Sequence, residues 1–195
     1  KYKRDDTDTT DSVGVVNGLA WTTVGGETMQ IEVALMPGEG KLEITGSIGD
    51  VMKESAQIAV SYIRSNYLSL GIRPTFYKDT DIHIHVPEGA VPKDGPSAGI
   101  AITTAIVSAL KNTAVKGNIA MTGEITLRGN VLPIGGLKEK TMAAYKANIK
   151  TVIIPSRNQP DLKEIDPKVL DNLKFIPVNS ISEVLEHALT LSNIN

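Results

Sequence analysis

The segment Pro92-Lys93-Asp94-Gly95-Pro96-Ser97-Ala98-Gly99 presents a hydroxyl where a nucleophile can work. Proline suits the first turn of a helix, because the N–H it lacks would have no intrahelical partner there, and Gly95 allows a sharp bend just before it. Ser97 is therefore expected in that first turn. Its hydroxyl then lies beside unpaired backbone N–H groups at the positive end of a helix dipole, where a developing oxyanion is stabilised. Ala98 and Gly99 leave space for a substrate to approach. A plain helix cap accounts for the same segment, since serine is common at helix starts.

A serine nucleophile needs a base, and the sequence offers His83, His85, His187 or a desolvated lysine. Asp81, His83 and His85 alternate along one strand face, which suits a metal site or a serine–histidine pair oriented by Asp81. A polar strand face bordering a cleft explains the same pattern. His187, between Glu186 and Ala188, reads as a surface residue. The lysine argument is sharper. Side chains advance by about 100° per residue around a helix, so over Leu137 to Ala147 Lys140 is centred on a small apolar face with Leu137, Ala143, Ala144 and Ala147. Lys138, Glu139 and Lys146 share the opposite, solvated arc. An ammonium among alanines is costly to desolvate, so its pKa should fall and its neutral amine become available as a base. The alternative is a lysine whose stem lies along the apolar face while its charge reaches water.

The surrounding elements are legible in outline. Val13 to Trp21 and Thr28 to Val33 read as strands joined at Gly25-Gly26, and Lys41 to Thr45 as a third strand completing a β meander. Asp50 to Leu70 has the period of an amphipathic helix, ended by Gly71 and Pro74. Asp81 to Val86 is a half-exposed strand, and Gly95 to Leu110, which carries no charge, a helix buried on nearly every side. Short strands follow at Ile119 to Thr122 and Ile125 to Leu132, then a helix opened by Gly135-Gly136. The apolar strand Thr151 to Ile154, an irregular helical stretch from Asp161 to Leu173, the strand Phe175 to Val178 and a helix over Ile181 to Leu191 capped by Ser180 complete the chain. The fold class is α/β with α+β character: a β meander, then alternating strands and helices around a partly parallel sheet.

Composition narrows the chemistry further. The 195 residues carry a net charge of −2, without the basic surface that releases counterions from nucleic acid. There is no cysteine, which excludes disulfides, thiolate catalysis and zinc–thiolate sites. No signal peptide is evident at Lys1 to Ser12, and the uncharged run Gly95 to Leu110 falls short of the roughly 20 residues that cross a bilayer. Gly38-Glu39-Gly40-Lys41-Leu42 lacks the upstream glycine and the hydroxyl of a phosphate-cradling loop, and no dinucleotide fingerprint is present.

The serine segment, together with Gly135-Gly136-Leu137-Lys138-Glu139-Lys140, resembles the C-terminal proteolytic domain of Lon, the ATP-dependent serine protease. Gly49-Asp50-Val51-Met52-Lys53-Glu54-Ser55, His83-Ile84-His85-Val86-Pro87-Glu88-Gly89-Ala90, Met121-Thr122-Gly123-Glu124 and Val131-Leu132-Pro133-Ile134 resemble further blocks of that family, in the same order. The resemblance implies a serine–lysine dyad of Ser97 and Lys140, with Thr122 beside the lysine amine and Asp94 and Glu32 near the active-site loop. His83 and His85 become structural neighbours. It further implies an endopeptidase domain over residues 12–191, preceded by a flexible remnant at 1–11 and followed by a tail at 192–195. No cofactor is expected in this domain, ATP and magnesium belonging to a separate ATPase module. Unfolded or tagged proteins are the implied substrates, degraded by a hexameric ring in the bacterial cytoplasm or, alternatively, the mitochondrial matrix, with no membrane or nucleic-acid partner. Two other readings stay open from the residues themselves: a metal-dependent hydrolase built on Asp81, His83 and His85, and a non-catalytic oligomerisation domain.

Overall fold

A computed structural model describes residues 9–46, 48–87 and 95–190. The first strands, β1 (Val15–Thr22) and β2 (Gly25–Pro37), pair antiparallel across the expected turn, Thr22 facing Gly25. β3 (Leu42–Gly46) departs from the expected meander, for it pairs not with β2 but in parallel with β4 (Thr80–Val86), which lies antiparallel to β2. Between β3 and β4 runs the amphipathic helix α1 (Asp50–Ser65), long enough for a crossover connection, and crossovers make parallel neighbours. The expected single helix to Leu70 is broken at Asn66, and a separate turn, α2 (Tyr67–Leu70), ends at Gly71 in the left-handed region. A further single turn, α3 (Phe76–Asp79), leads into β4.

After a 3-10 turn at Pro96–Ala98 comes α4 (Gly99–Lys111), buried from Gly99 through Ser108 as its lack of charge requires. β5 (Ile119–Met121) returns parallel to β1 on the side away from β2. The stretch read as one strand, 125–132, is instead a hairpin of β6 (Glu124–Ile125) and β7 (Val131–Leu132), reversed at Gly129 with φ of +80°. Next come α5 (Leu137–Lys146), β8 (Thr151–Pro155), α6 (Pro167–Asn172), β9 (Lys174–Val178) and α7 (Ile181–Ala188). Ser180 caps α7 as expected, its hydroxyl accepting from the Glu183 N–H.

The main sheet has the order β3-β4-β2-β1-β5-β8-β9, so the α/β alternation is borne out. Its two faces carry separate cores. On one, Val16, Ile31, Ile84 and Met121 pack with Ala59, Ile63, Ile100, Ile106 and Val184 from α1, α4 and α7. On the other, Leu19, Ala120, Val152 and Ile154 pack with Leu137 and Ala144 of α5 and Val169 of α6. Helix α4, entering β5, and helix α5, leaving β7, therefore cover opposite faces. A crevice opens at the carboxyl ends of β1 and β5, where open α/β sheets bind ligands.

Candidate functional site

Gly136, with φ of +70°, turns the chain into α5, and Lys140 N–H donates to its carbonyl at 3.0 Å. The helix then buries Leu137, Lys140, Thr141 and Ala144 as one stripe. The expected apolar face is therefore rotated slightly: Thr141 joins it, while Ala143 and Ala147 are only half-buried. Lys138 is exposed, as the opposite arc requires. Gly26 lets the β1–β2 hairpin press against this helix, since a Cβ there would sit 2.0 Å from the Glu139 carbonyl oxygen.

Lys140 is 2 % exposed. Burial penalises its charged form and brings its pKa from 10.5 down to about 8. The amine donates to the hydroxyl of Thr122 at 3.2 Å. Thr122, fully buried, follows directly on β5, so β5 presents its hydroxyl to α5.

The same two-residue connection fixes the serine. Gly123 N–H donates to the Ser97 carbonyl at 2.8 Å, and Ile100 N–H donates to the Gly123 carbonyl at 3.1 Å. Ser97 occupies the 3-10 turn that precedes α4 rather than α4 itself. Gly95 does not make the expected sharp bend: its backbone is extended, with φ of 160° and ψ of 161°. Gly99 permits the close approach of the serine turn to the hairpin, because a Cβ on it would lie 2.9 Å from the Ile125 nitrogen.

Ser97 and Lys140 line one pocket of about 300 Å³. Its walls include Leu19, Trp21, Met29, Met52 and Ile134, with Glu124 at β6. Sequence reasoning did not assign these wall residues, which come from five separated segments. The one available signal was Trp21, a lone tryptophan beside the glycine turn; it is 60 % exposed and covers Gly136, where a Cβ would meet its ring at 2.7 Å.

Glu32 is exposed on β2, opposite Val15 and His85, and contributes to a second pocket with His83 and His85 rather than to the serine–lysine pocket. Asp94 lies outside the described residues. Asp81, His83 and His85 of β4 are occupied with structure. Asp81 Oδ1 accepts from the N–H groups of Glu39, Gly40 and Lys41 at 2.8–3.0 Å, which holds its carboxyl below the usual range. His83 Nε2 and His85 Nδ1 both meet the Thr45 hydroxyl, at 2.8 and 2.7 Å. This donor set does not suit a metal, and among the described residues no group of three or more His, Asp or Glu side chains is arranged to hold one. His187 is exposed on α7. Among the described residues no helix is long and apolar enough to cross a membrane.

Residues 1–191 match the model of the Lon protease (S16) C-terminal proteolytic domain. The chain belongs to this family. Among its relatives, Lon protease 1 of Bacillus subtilis is 60 % identical over 182 residues, covering 93 % of this chain and 24 % of that protein. Lon protease of Clostridium acetobutylicum is 55 % identical over 188 residues, 96 % of this chain and 24 % of that protein. Lon protease 1 of Myxococcus xanthus is 54 % identical over 191 residues, 98 % of this chain and 23 % of that protein. The chain thus spans about a quarter of the length of these Lon proteases and corresponds to their peptidase part. A serine-type Lon peptidase domain is what the resemblance implied, and the mixed α/β sheet agrees with it.

Proposed function

We propose that Ser97 is the nucleophile and Lys140 the general base of this Lon peptidase domain, with Thr122 positioning the amine. The observation that carries the reading is the lysine: it is buried, it shares a pocket with a serine, and desolvation brings its pKa to about 8. A base is most useful when its pKa lies near the working pH. Neutral Lys140 takes the Ser97 proton as the serine oxygen attacks a peptide carbonyl. The protonated amine then returns that proton to the leaving amine, and water resolves the acyl-enzyme by the same route. In this reading the backbone N–H of Ser97 stabilises the oxyanion.

The substrate backbone has a natural seat. β1 and β5 pair at Asn17–Ala120 and Gly18–Met121, after which β5 turns away into Thr122 and Gly123. Leu19, Ala20 and Trp21, which line the pocket, follow with that edge of β1 unpaired by β5. An extended peptide adding there binds through main-chain groups common to every unfolded chain.

Residues 12–191 form the proteolytic unit in this reading, and no metal or nucleotide takes part in its bond cleavage. The whole protein is an ATP-dependent protease of misfolded and regulatory proteins, assembled as a hexameric ring in the cytoplasm of a bacterium. The test compares cleavage of an unfolded protein by Ser97→Ala, Lys140→Ala and Lys138→Ala. The first two lose at least about a thousandfold in rate, while Lys138→Ala stays within about twofold of the parent. Full activity in Lys140→Ala overturns the assignment.

A further inference from the structure

The pocket holding Ser97 and Lys140 is largely apolar, and Glu124 is the only carboxylate among the described residues that line it. Glu124 opens β6 immediately after Gly123, whose N–H holds the serine turn, and its backbone is pinned opposite Leu132. The connection that fixes the nucleophile therefore also fixes this carboxylate. The residue is half-buried, and among the described residues no side-chain hydrogen bond or ion pair engages it. A partly desolvated carboxylate is stabilised by an entering cation or hydrogen-bond donor, and an entering anion is repelled. The pocket volume of about 300 Å³ admits a long side chain. Methylenes can lie against Met29 and Met52 while a terminal charge reaches the carboxylate.

We propose that Glu124 sets the charge specificity of cleavage: it favours substrates whose pocket-filling side chain is Lys or Arg over those carrying Asp or Glu. The proposal rests on the Ser97–Lys140 reading. It is tested with the protein and a set of peptides differing only at one residue beside the scissile bond, on the acyl side or on the leaving side, where Lys, Leu or Glu is placed. The readout is kcat/KM for each peptide with the parent, Glu124→Gln and Glu124→Lys. In the parent, at one of the two positions, the Lys peptide is cleaved at least about tenfold more efficiently than the Glu peptide. Glu124→Gln brings that ratio near one, and Glu124→Lys inverts it. A ratio within an assay does not depend on how much of a variant is folded, so partial misfolding does not mask the outcome. The same Lys-to-Glu ratio in all three proteins, at both positions, overturns the role of Glu124. Cleavage retained by Ser97→Ala instead overturns the catalytic reading on which it rests.

Discussion

An ammonium enclosed as Lys140 is, 2 % exposed and held by one hydroxyl, destabilises the folded protein in one protonation state and not in the other. Its pKa is about 8 when folded and 10.5 in the unconstrained side chain, so the unfolded chain holds the proton more tightly. Below the folded value both states are protonated and the fold carries the full desolvation cost. Between about 8 and 10.5 that cost fades, and stability attributable to this residue rises with pH. Lys140→Met is therefore expected to be more stable than the parent at neutral pH by about 1–3 kcal/mol in urea denaturation. The advantage shrinks toward pH 10.5, the unconstrained value. A less stable Lys140→Met at neutral pH contradicts the placement. Thr122 is argued to act through the amine. Thr122→Val removes the acceptor, so the protonated amine is destabilised further and the pH–rate midpoint moves to lower pH. The maximal rate falls about tenfold or more. Thr122→Ser restores both, whereas a merely structural role for the methyl group leaves the midpoint in place.

At the scale of elements, the site depends on how closely three pieces approach: the β1–β2 hairpin, α5, and the serine turn with β6. Gly26 and Gly99 are the contact points, with Cβ clashes of 2.0 Å to the Glu139 carbonyl oxygen and 2.9 Å to the Ile125 nitrogen. Both neighbours are backbone, which cannot rotate aside. Gly26→Ala and Gly99→Ala are each expected to cost at least about 2 kcal/mol in denaturant unfolding and to lower cleavage more than a surface glycine change does. Gly25→Ala is the control for space, as nothing lies within 4 Å of a Cβ there, although its φ of +116° adds backbone strain. A Gly26→Ala protein as stable as the parent shows that hairpin and helix are not pressed together. These elements were unevenly legible in the sequence. The place of Lys140 on the inward face of α5 followed from helical period, because angular position is a local property, whereas the enclosure of its amine depends on the elements packed over it. The partner of β3 did not, because strand pairing is decided by what the α1 crossover inserts, here β4. The break at Asn66 was hidden by apolar spacing that continues through Leu70. The hairpin of β6 and β7 read as one strand although Gly129-Asn130 marks a turn within it, because the flanking strands are only two residues each.

The whole molecule brings Ser97 from one face of the sheet and Lys140 from the other into one pocket at the carboxyl ends of β1 and β5. That arrangement explains why the dyad could be inferred from two separated segments while the pocket walls could not. Serine and lysine each sit in a recognisable local pattern, but Leu19, Met29, Met52, Glu124 and Ile134 meet only once the sheet is assembled. It also explains why His83, His85 and Glu32 share a sheet face yet lie outside the serine–lysine pocket: β2 and β4 carry them into a different recess. The chain spans about a quarter of its Lon relatives and has no phosphate-cradling loop of its own. Cleavage of an unfolded polypeptide by these 195 residues is accordingly expected to be the same with and without ATP, measured as release of labelled peptides. Stimulation by ATP contradicts that division of labour.

The central claim, that buried Lys140 activates Ser97, is tested most directly by the rate at which a fluorophosphonate acylates Ser97 as a function of pH, in the parent and in Lys140→Met. The parent rate is expected to climb about tenfold per pH unit and level off near the lysine pKa of about 8. Lys140→Met should be slower by at least about a hundredfold at the plateau and show no break there. Labelling of Lys140→Met at the parent rate, with the same break near 8, contradicts the account.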